Sequence, residues 1–199
     1  MGFPVSYYMP QYTPFACWRG AFTPEECQKI RDLGELLQFA KGRVGSGGAS
    51  AEDAATRDTD ITWIEYNPDT AWIFERISGV TGRVNFEMFQ LSLDEFDGFQ
   101  YGRYREGQHY TWHVDIDHAP PNPARFRKLS LIMFLSDPSE YEGGDVLINV
   151  DGNPDKVERL RGNQGDILFF YSHLPHMVAP VTKGQRLTLV TWAMGEKIR

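Results

Sequence analysis

With 199 residues, 41% hydrophobic and 24% charged, the chain has the length and composition of an ordinary globular domain, not of a fibrous or disordered segment. Its formal net charge of -7 argues against a dedicated nucleic-acid binder, though Arg103 and Arg105, and Arg125, Arg127 and Lys128, leave room for a small basic groove. No run of about 18 apolar residues occurs, and the opening MGFPVSYYMPQY has neither the basic start nor the apolar stretch of a signal peptide, so a cytoplasmic protein without membrane association is expected.

Cys17 and Cys27 are far from the histidines and read as small buried hydrophobes, neither bridged nor bound to metal. A single domain over 1–199 is expected, with a helical support region over 1–85 and a β-rich core over 86–199. Thr23-Pro24-Glu25-Glu26 is a capping box with proline at the first helical position. The spacing of Cys27, Ile30, Leu33, Leu36 and Leu37 then predicts a helix over 24–39. The Gly-, Ser- and Ala-rich segment Gly42–Thr56 reads as a loop and a candidate lid. A short strand over Asp60–Glu65 precedes a second helix over about 70–84 that carries Trp72, Ile73, Ile77 and Val80.

From residue 86 onward the pattern changes to short β-rich runs: Glu87–Leu93, Gln100–Arg105, Tyr110–Asp115, Leu129–Leu135, Val146–Val150, Ile167–Tyr171, Met177–Val181 and Leu187–Ala193. Turns separate them at Asp97-Gly98, Glu106-Gly107, Gly143-Gly144, Asp151-Gly152 and Gly162. About eight strands at such spacing predict a mainly β fold with N-terminal helices, in which two antiparallel sheets face each other as a jelly roll and the helices cover one sheet.

All five histidines, at 109, 113, 118, 173 and 176, fall in this β-rich half. Residues two apart on a strand point to the same face, so His113 and Asp115 are expected to converge. His176, in a later run, supplies a third ligand if its strand lies alongside. Two imidazoles and one carboxylate on one face make the triad that binds non-haem Fe(II) and leaves coordination positions open. His109, His118, His173 and Asp117 are the rivals for these places. Arg186, ten positions after His176, enters the same barrel mouth if the chain turns between them. A buried guanidinium calls for an anion, and a ligand carboxylate would meet it bidentately. Thr188 shares its face, and Tyr104 is placed to donate its phenol to the same ligand. Tyr101 and Tyr110 read as plain core. The proline-rich stretch at 117–124 is a candidate substrate loop.

The segments YREGQHYTWHVD, RKLSLIMFLSD, YEGGDVLI, GDILFFYSHLPHMVAPVTKGQR and LTLVTWAMG, taken in order, resemble the prolyl 4-hydroxylase-like (PKHD-type) Fe(II)/2-oxoglutarate-dependent dioxygenases over about half the chain. The resemblance implies a double-stranded β-helix in which His113, Asp115 and His176 hold iron. It further implies that Arg186, helped by Thr188 and Tyr104, holds the far carboxylate of 2-oxoglutarate. The activity implied is hydroxylation of an unactivated C–H bond with O2 and conversion of 2-oxoglutarate to succinate, with ascorbate as an optional reductant. The substrate is then a peptidyl proline or a small molecule. The other readings are an oxygenase acting on a metabolite or nucleobase, a metal-only cupin, and a jelly-roll binding module without turnover.

Overall fold

The computed structural model describes residues 13–45, 50–116, 125–153 and 156–196. Its strands, in chain order, are β1 (Phe15–Trp18), β2 (Ala40–Lys41), β3 (Arg57–Asp58), β4 (Asp60–Trp63), β5 (Glu95–Tyr104), β6 (His109–His113), β7 (Arg125–Phe134), β8 (Tyr141–Gly143), β9 (Val146–Asn149), β10 (Val157–Leu160), β11 (Ile167–Tyr171), β12 (His176–Val178), β13 (Val181–Gly184) and β14 (Arg186–Glu196). Helix α1 spans Pro24–Glu35 and helix α2 spans Ala71–Val84.

The capping box forms as the sequence predicts. The Glu26 amide donates to Thr23 Oγ1 at 3.2 Å, and the Thr23 amide donates to Glu26 Oε2 at 2.9 Å. Helix α1 stops four residues short of the expected end at 39. Gly34 lies against the Tyr101 ring, and the Leu37 amide turns back to the Gly34 carbonyl at 3.1 Å. Leu36, expected on the apolar face, is 84% exposed as a result. The predicted strand over Glu87–Leu93 is instead a π-helical turn, Asn85–Phe89, that extends α2. Its aromatic and aliphatic residues suit a strand, but the Asn85 side chain clamps the Leu91 backbone through hydrogen bonds of 2.8 and 2.9 Å and ends the turn there.

The large sheet runs β1-β11-β7-β14-β5-β4-β2, the small sheet β10-β9-β12-β6-β3, and β13 pairs with β8 in a separate ribbon. All these pairings are antiparallel, and the two sheets face each other as a double-stranded β-helix. The first 85 residues supply strands to both sheets in addition to helices. Alternation sorts the large sheet's two faces. Leu129, Leu131, Met133, Ile167, Phe169, Leu187 and Leu189 pack with Cys27 and Ile30 of α1 and Ile73 and Ile77 of α2. Their strand neighbours Ile132, Phe134, Leu168 and Phe170 point the opposite way and join Val146 and Ile148 of the small sheet. Each such fully buried side chain contributes about 1.5–3 kcal/mol relative to exposure. Cys27 is buried in this core, but Cys17, expected to be buried too, is exposed because β1 is an edge strand.

Two bulges break the alternation near one end of the large sheet. On β5, Phe99 pairs with Thr191 and Phe96 with Ala193, so an extra residue is taken up between them. Gly98 has φ +69° there, and Thr191 Oγ1 donates to its carbonyl at 2.6 Å. The expected Asp97-Gly98 turn is this bulge inside one strand. On β7, Leu129 pairs with Ala193 and Arg127 with Met194, leaving Lys128 as the extra residue.

Candidate metal centre

His113 ends β6, His176 begins β12, and the two residues are paired across these strands. Asp115 lies beyond the end of β6, so the strand expected to continue to 115 stops at His113 and alternation does not aim the carboxylate. Instead the Asp115 amide donates to the Ser172 carbonyl at 2.9 Å, which ties the segment to the loop after β11. One ligand atom from each of His113, Asp115 and His176 lies within 4.8 Å of the others.

Each imidazole is oriented by a backbone carbonyl. His113 Nδ1 donates to the Thr111 carbonyl at 2.8 Å, and His176 Nδ1 donates to the Leu174 carbonyl at 3.0 Å. A carbonyl only accepts, so the Nδ1 positions carry protons and both Nε2 atoms are turned to the centre. There His176 Nε2 is 3.3 Å from Asp115 Oδ2, and His113 Nε2 is 3.7 Å from Asp115 Oδ1. The Tyr110 ring stacks on His113 with centroids 3.5 Å apart, and Phe170 meets His176 edge-on at 4.6 Å.

Burial, followed by the neighbouring His176, pushes His113 down to about 4. Burial works to raise the Asp115 carboxyl, but the two imidazoles and a hydrogen bond from Ser130 outweigh it and hold the group below the ordinary carboxylate range. Burial works to lower His176, but Asp115 outweighs it and raises the ring above its usual value. Two nitrogens and a carboxylate, with no thiolate, suit a divalent first-row ion such as Fe(II). A proton held between His176 and Asp115 competes with such an ion, because a ligating imidazole must give up its Nε2 proton. Metal affinity is therefore expected to rise with pH through the raised titration of His176 and then level off, while His113 adds little loss until the pH nears its own low value. Co(II) titrations from pH 6 to 8.5 check this, and a pH-independent dissociation constant would contradict it.

Arg186, the first residue of β14, is 1% exposed and pairs with Tyr104 of β5. Its Nε and Nη2 have no hydrogen-bond partner, and no carboxylate among the described residues forms an ion pair with it. Its guanidinium carbon is 5.3 Å from the Tyr104 ring centroid and 5.7 Å from that of Phe134. Gly144, with φ +64°, makes room for it: a Cβ there would come within 2.9 Å of Arg186 Cδ. Thr188 is two residues along on the same face and also 1% exposed. A buried guanidinium with unpaired N–H groups is costly unless an anion completes it, so this cradle fits a carboxylate.

A cavity of about 560 Å³ opens over the centre and is lined by His113, Asp115, His176 and Tyr104. Arg186 and Thr188 are buried and are not among the residues that line it. The wall also contains Tyr110, Arg57, Gln100, Arg127, Trp63 and Trp192, none of which the sequence singled out for the site. Tyr110, read as core, does pack against the cluster of Tyr104, Tyr141, Val178 and Val181, and its ring also stacks on a candidate ligand. Arg57 lies over its ring at 4.6 Å and donates to Gln100 Oε1 at 2.7 Å. The Gly42–Thr56 loop contributes Arg43, Val44, Gly45 and Ser50 to the wall, with Val44 bridged to Ala51. Residues 46–49 of that loop, and the whole 117–124 stretch with Asp117 and His118, lie outside the described residues.

The other rivals are elsewhere. His109 binds the Gly107 and Ala55 carbonyls at the surface, and His173 is exposed beside Tyr171. The arginines that left room for a small basic groove are each paired with a carboxylate. Arg103 meets Glu35, Arg105 meets Asp60, Arg125 meets Asp94 and Glu95, and Arg127 meets Asp97.

Residues 99–194 match the model of the 2OG-Fe(II) oxygenase superfamily. This match to an oxygenase domain, together with the hydroxylase relatives, supports an enzyme of the dioxygenase class. It is 27% identical over 176 residues to the PKHD-type hydroxylase YbiX of Escherichia coli O6:K15:H31 and, to the same extent, to that of Shigella sonnei; the match covers 87% of this chain and 75% of each relative. Among solved structures, a Pseudomonas putida prolyl-4-hydroxylase superposes with a TM-score of 0.70 at 16% identity, covering 92% of this chain and 94% of that one. The viral collagen prolyl hydroxylase of Paramecium Bursaria Chlorella virus-1, in its 2OG complex, gives 0.70 at 19% identity, covering 94% of this chain and 98% of that one. These likenesses establish the double-stranded β-helix. Among the described residues no helix is long and apolar enough to cross a membrane.

Proposed function

We propose that the chain is an Fe(II)/2-oxoglutarate-dependent hydroxylase of the prolyl-hydroxylase type, acting on an unactivated C–H bond of a peptide or small-molecule substrate. The observation that carries this reading is the pairing of a converged His113–Asp115–His176 cluster with a buried, anion-seeking Arg186 in the same barrel. A metal-only cupin or a passive binding module has no use for that second element.

In this reading His113, Asp115 and His176 hold Fe(II). Arg186 takes the far carboxylate of 2-oxoglutarate, with the Thr188 and Tyr104 hydroxyls beside it. When bound, iron and cosubstrate supply the oxidising power, using O2 to convert 2-oxoglutarate to succinate and CO2 and to hydroxylate the substrate. The protein orients these groups and keeps water out. Ile132, Val190 and Trp192 give the cavity apolar wall, and the Nδ1 bonds stop the imidazoles from rotating. Trp63, Trp192, Arg57 and Arg127 around the mouth are the side chains placed to meet the substrate. Proline is the target to test first, because the structural neighbours of the same fold are described as prolyl hydroxylases.

Anaerobic addition of Fe(II) and 2-oxoglutarate to the protein is expected to produce a weak visible charge-transfer band; its absence from folded protein would overturn the assignment. Succinate release is then measured across proline-containing peptides, free amino acids and nucleobases, with and without ascorbate. Stimulation by the peptides is the expected result, and stimulation only by another group would replace the prolyl reading.

A further inference from the structure

The Asp115 carboxylate has a partner that neither the metal nor the cosubstrate explains. Ser130, in the middle of β7, faces into the barrel and is 0% exposed. Its Oγ donates to Asp115 Oδ2 at 2.7 Å. Ser172, also 0% exposed, lies 2.9 Å from it, Oγ to Oγ. The direction of this chain follows from valence. An ionised carboxylate only accepts, so the single Ser130 proton goes to Asp115. Ser130 is then the acceptor in its second bond, and Ser172 must be the donor. The order is Ser172 to Ser130 to Asp115, each bond polarising the next.

We propose that Ser130, supported by Ser172, is a positioning residue that fixes the Asp115 carboxylate in its metal-holding orientation. The inference rests on the metal-centre reading above. Oδ2 faces His176 and Oδ1 faces His113, so rotation of the carboxylate would disturb its relation to both imidazoles at once. The Asp115 backbone is held by the Ser172 carbonyl, but that bond leaves the side-chain torsion unset. The Ser130 hydroxyl sets it. Ser130 lies on the rigid central part of the large sheet, paired with Phe170 on one side and Trp192 on the other, so the donor itself cannot drift. Hydrogen-bonded supports of this kind commonly change metal affinity by about 10- to 100-fold.

The test uses Co(II) as the probe, titrated anaerobically into the metal-free full chain and followed by its visible ligand-field bands. Ser130→Ala is expected to weaken Co(II) binding about 10-fold or more and to shift the bands, with little change in the melting temperature of the metal-free protein. Ser130→Thr, which keeps the hydroxyl, is expected to retain most of the affinity and the wild-type bands. Ser172→Ala is expected to weaken binding less than Ser130→Ala does. Because Ser172 acts through Ser130, the double alanine variant should match Ser130→Ala alone. Affinity and bands unchanged in Ser130→Ala, or additive losses in the double variant, would overturn the positioning role. If Ser130→Ala does not fold, Ser172→Ala decides: wild-type affinity and bands would overturn the relay. A wild-type chain that takes up no Co(II) would overturn the metal centre itself, a result distinct from any failure of Ser130.

Discussion

Asp115→Ala is expected to lower metal affinity by more than 100-fold and to reduce substrate-dependent succinate formation to background, while the double-stranded β-helix persists. The carboxylate is the one anionic ligand in the cluster and the counter-charge to His176. Without it two imidazoles remain, and a ferrous ion loses the anionic donor that completes its two-histidine, one-carboxylate set. The fold has less at stake. Removing Asp115 leaves the Ser130 hydroxyl without its acceptor and His176 without its partner, at a cost of about 1–3 kcal/mol. His176 can limit that cost by losing its proton, since burial then outweighs the Leu174 carbonyl, the one raising influence left to it. Metal titration and thermal melting on the same preparation separate the two effects. Retention of metal binding within a few-fold would mean that Asp115 is not a ligand.

The second large effect is at Arg186, where stability and ligand affinity are expected to move in opposite directions. Arg186→Met removes a buried cation whose Nε and Nη2 have no partner, so the ligand-free protein should melt at a higher temperature. The same change should weaken 2-oxoglutarate by ~2–5 kcal/mol, a loss of about 30-fold to a few thousand-fold. Metal affinity should stay within a few-fold, because Arg186 does not contact the His–Asp–His cluster. Calorimetry with 2-oxoglutarate on the anaerobic metal-loaded protein, and separately with the metal alone, checks all three statements. Equal losses for metal and cosubstrate would mean that the arginine supports the cluster and not the cosubstrate.

The metal cluster was legible in the sequence because its chemistry requires uncommon residue types close together, and the geometric reason differed from the one expected. His113 and Asp115 converge although the strand ends between them; the Ser172 carbonyl, not alternation, holds the Asp115 backbone in place. Arg186 was legible because a charge in an apolar strand stands out. Ser130 was passed over since a serine serves in any context, although its inward parity in Leu129-Ser130-Leu131-Ile132 was the available signal. Tyr110 went to the core for the corresponding reason: an aromatic ring on a strand looks the same whether it packs on leucine or on a metal ligand. Arg57 of β3, in the small sheet, meets Gln100 of β5, in the large sheet, only because the two sheets face each other, and no local spacing announces that. Seven of the eight β-rich runs outlined the barrel, but β1, β10 and the β8–β13 ribbon carry too few side chains on a clear face to show a period.

The bulges at Gly98 and Lys128 have an evolutionary consequence. Each resets which side chains face inward on the part of its strand near the cavity mouth, and each leaves the register at Tyr104, Ser130 and Arg186 untouched. Arg127 lines the cavity although Leu129, two residues on, faces the helices. Phe96 and Phe99 lie on the same side although they are three apart. Deleting one residue at either bulge would exchange wall for core in a single step, turning Arg127 or Phe96 over while sparing the chemistry below. Small insertions or deletions at these two positions would therefore change the rim while leaving His113, Asp115, His176 and Arg186 in place.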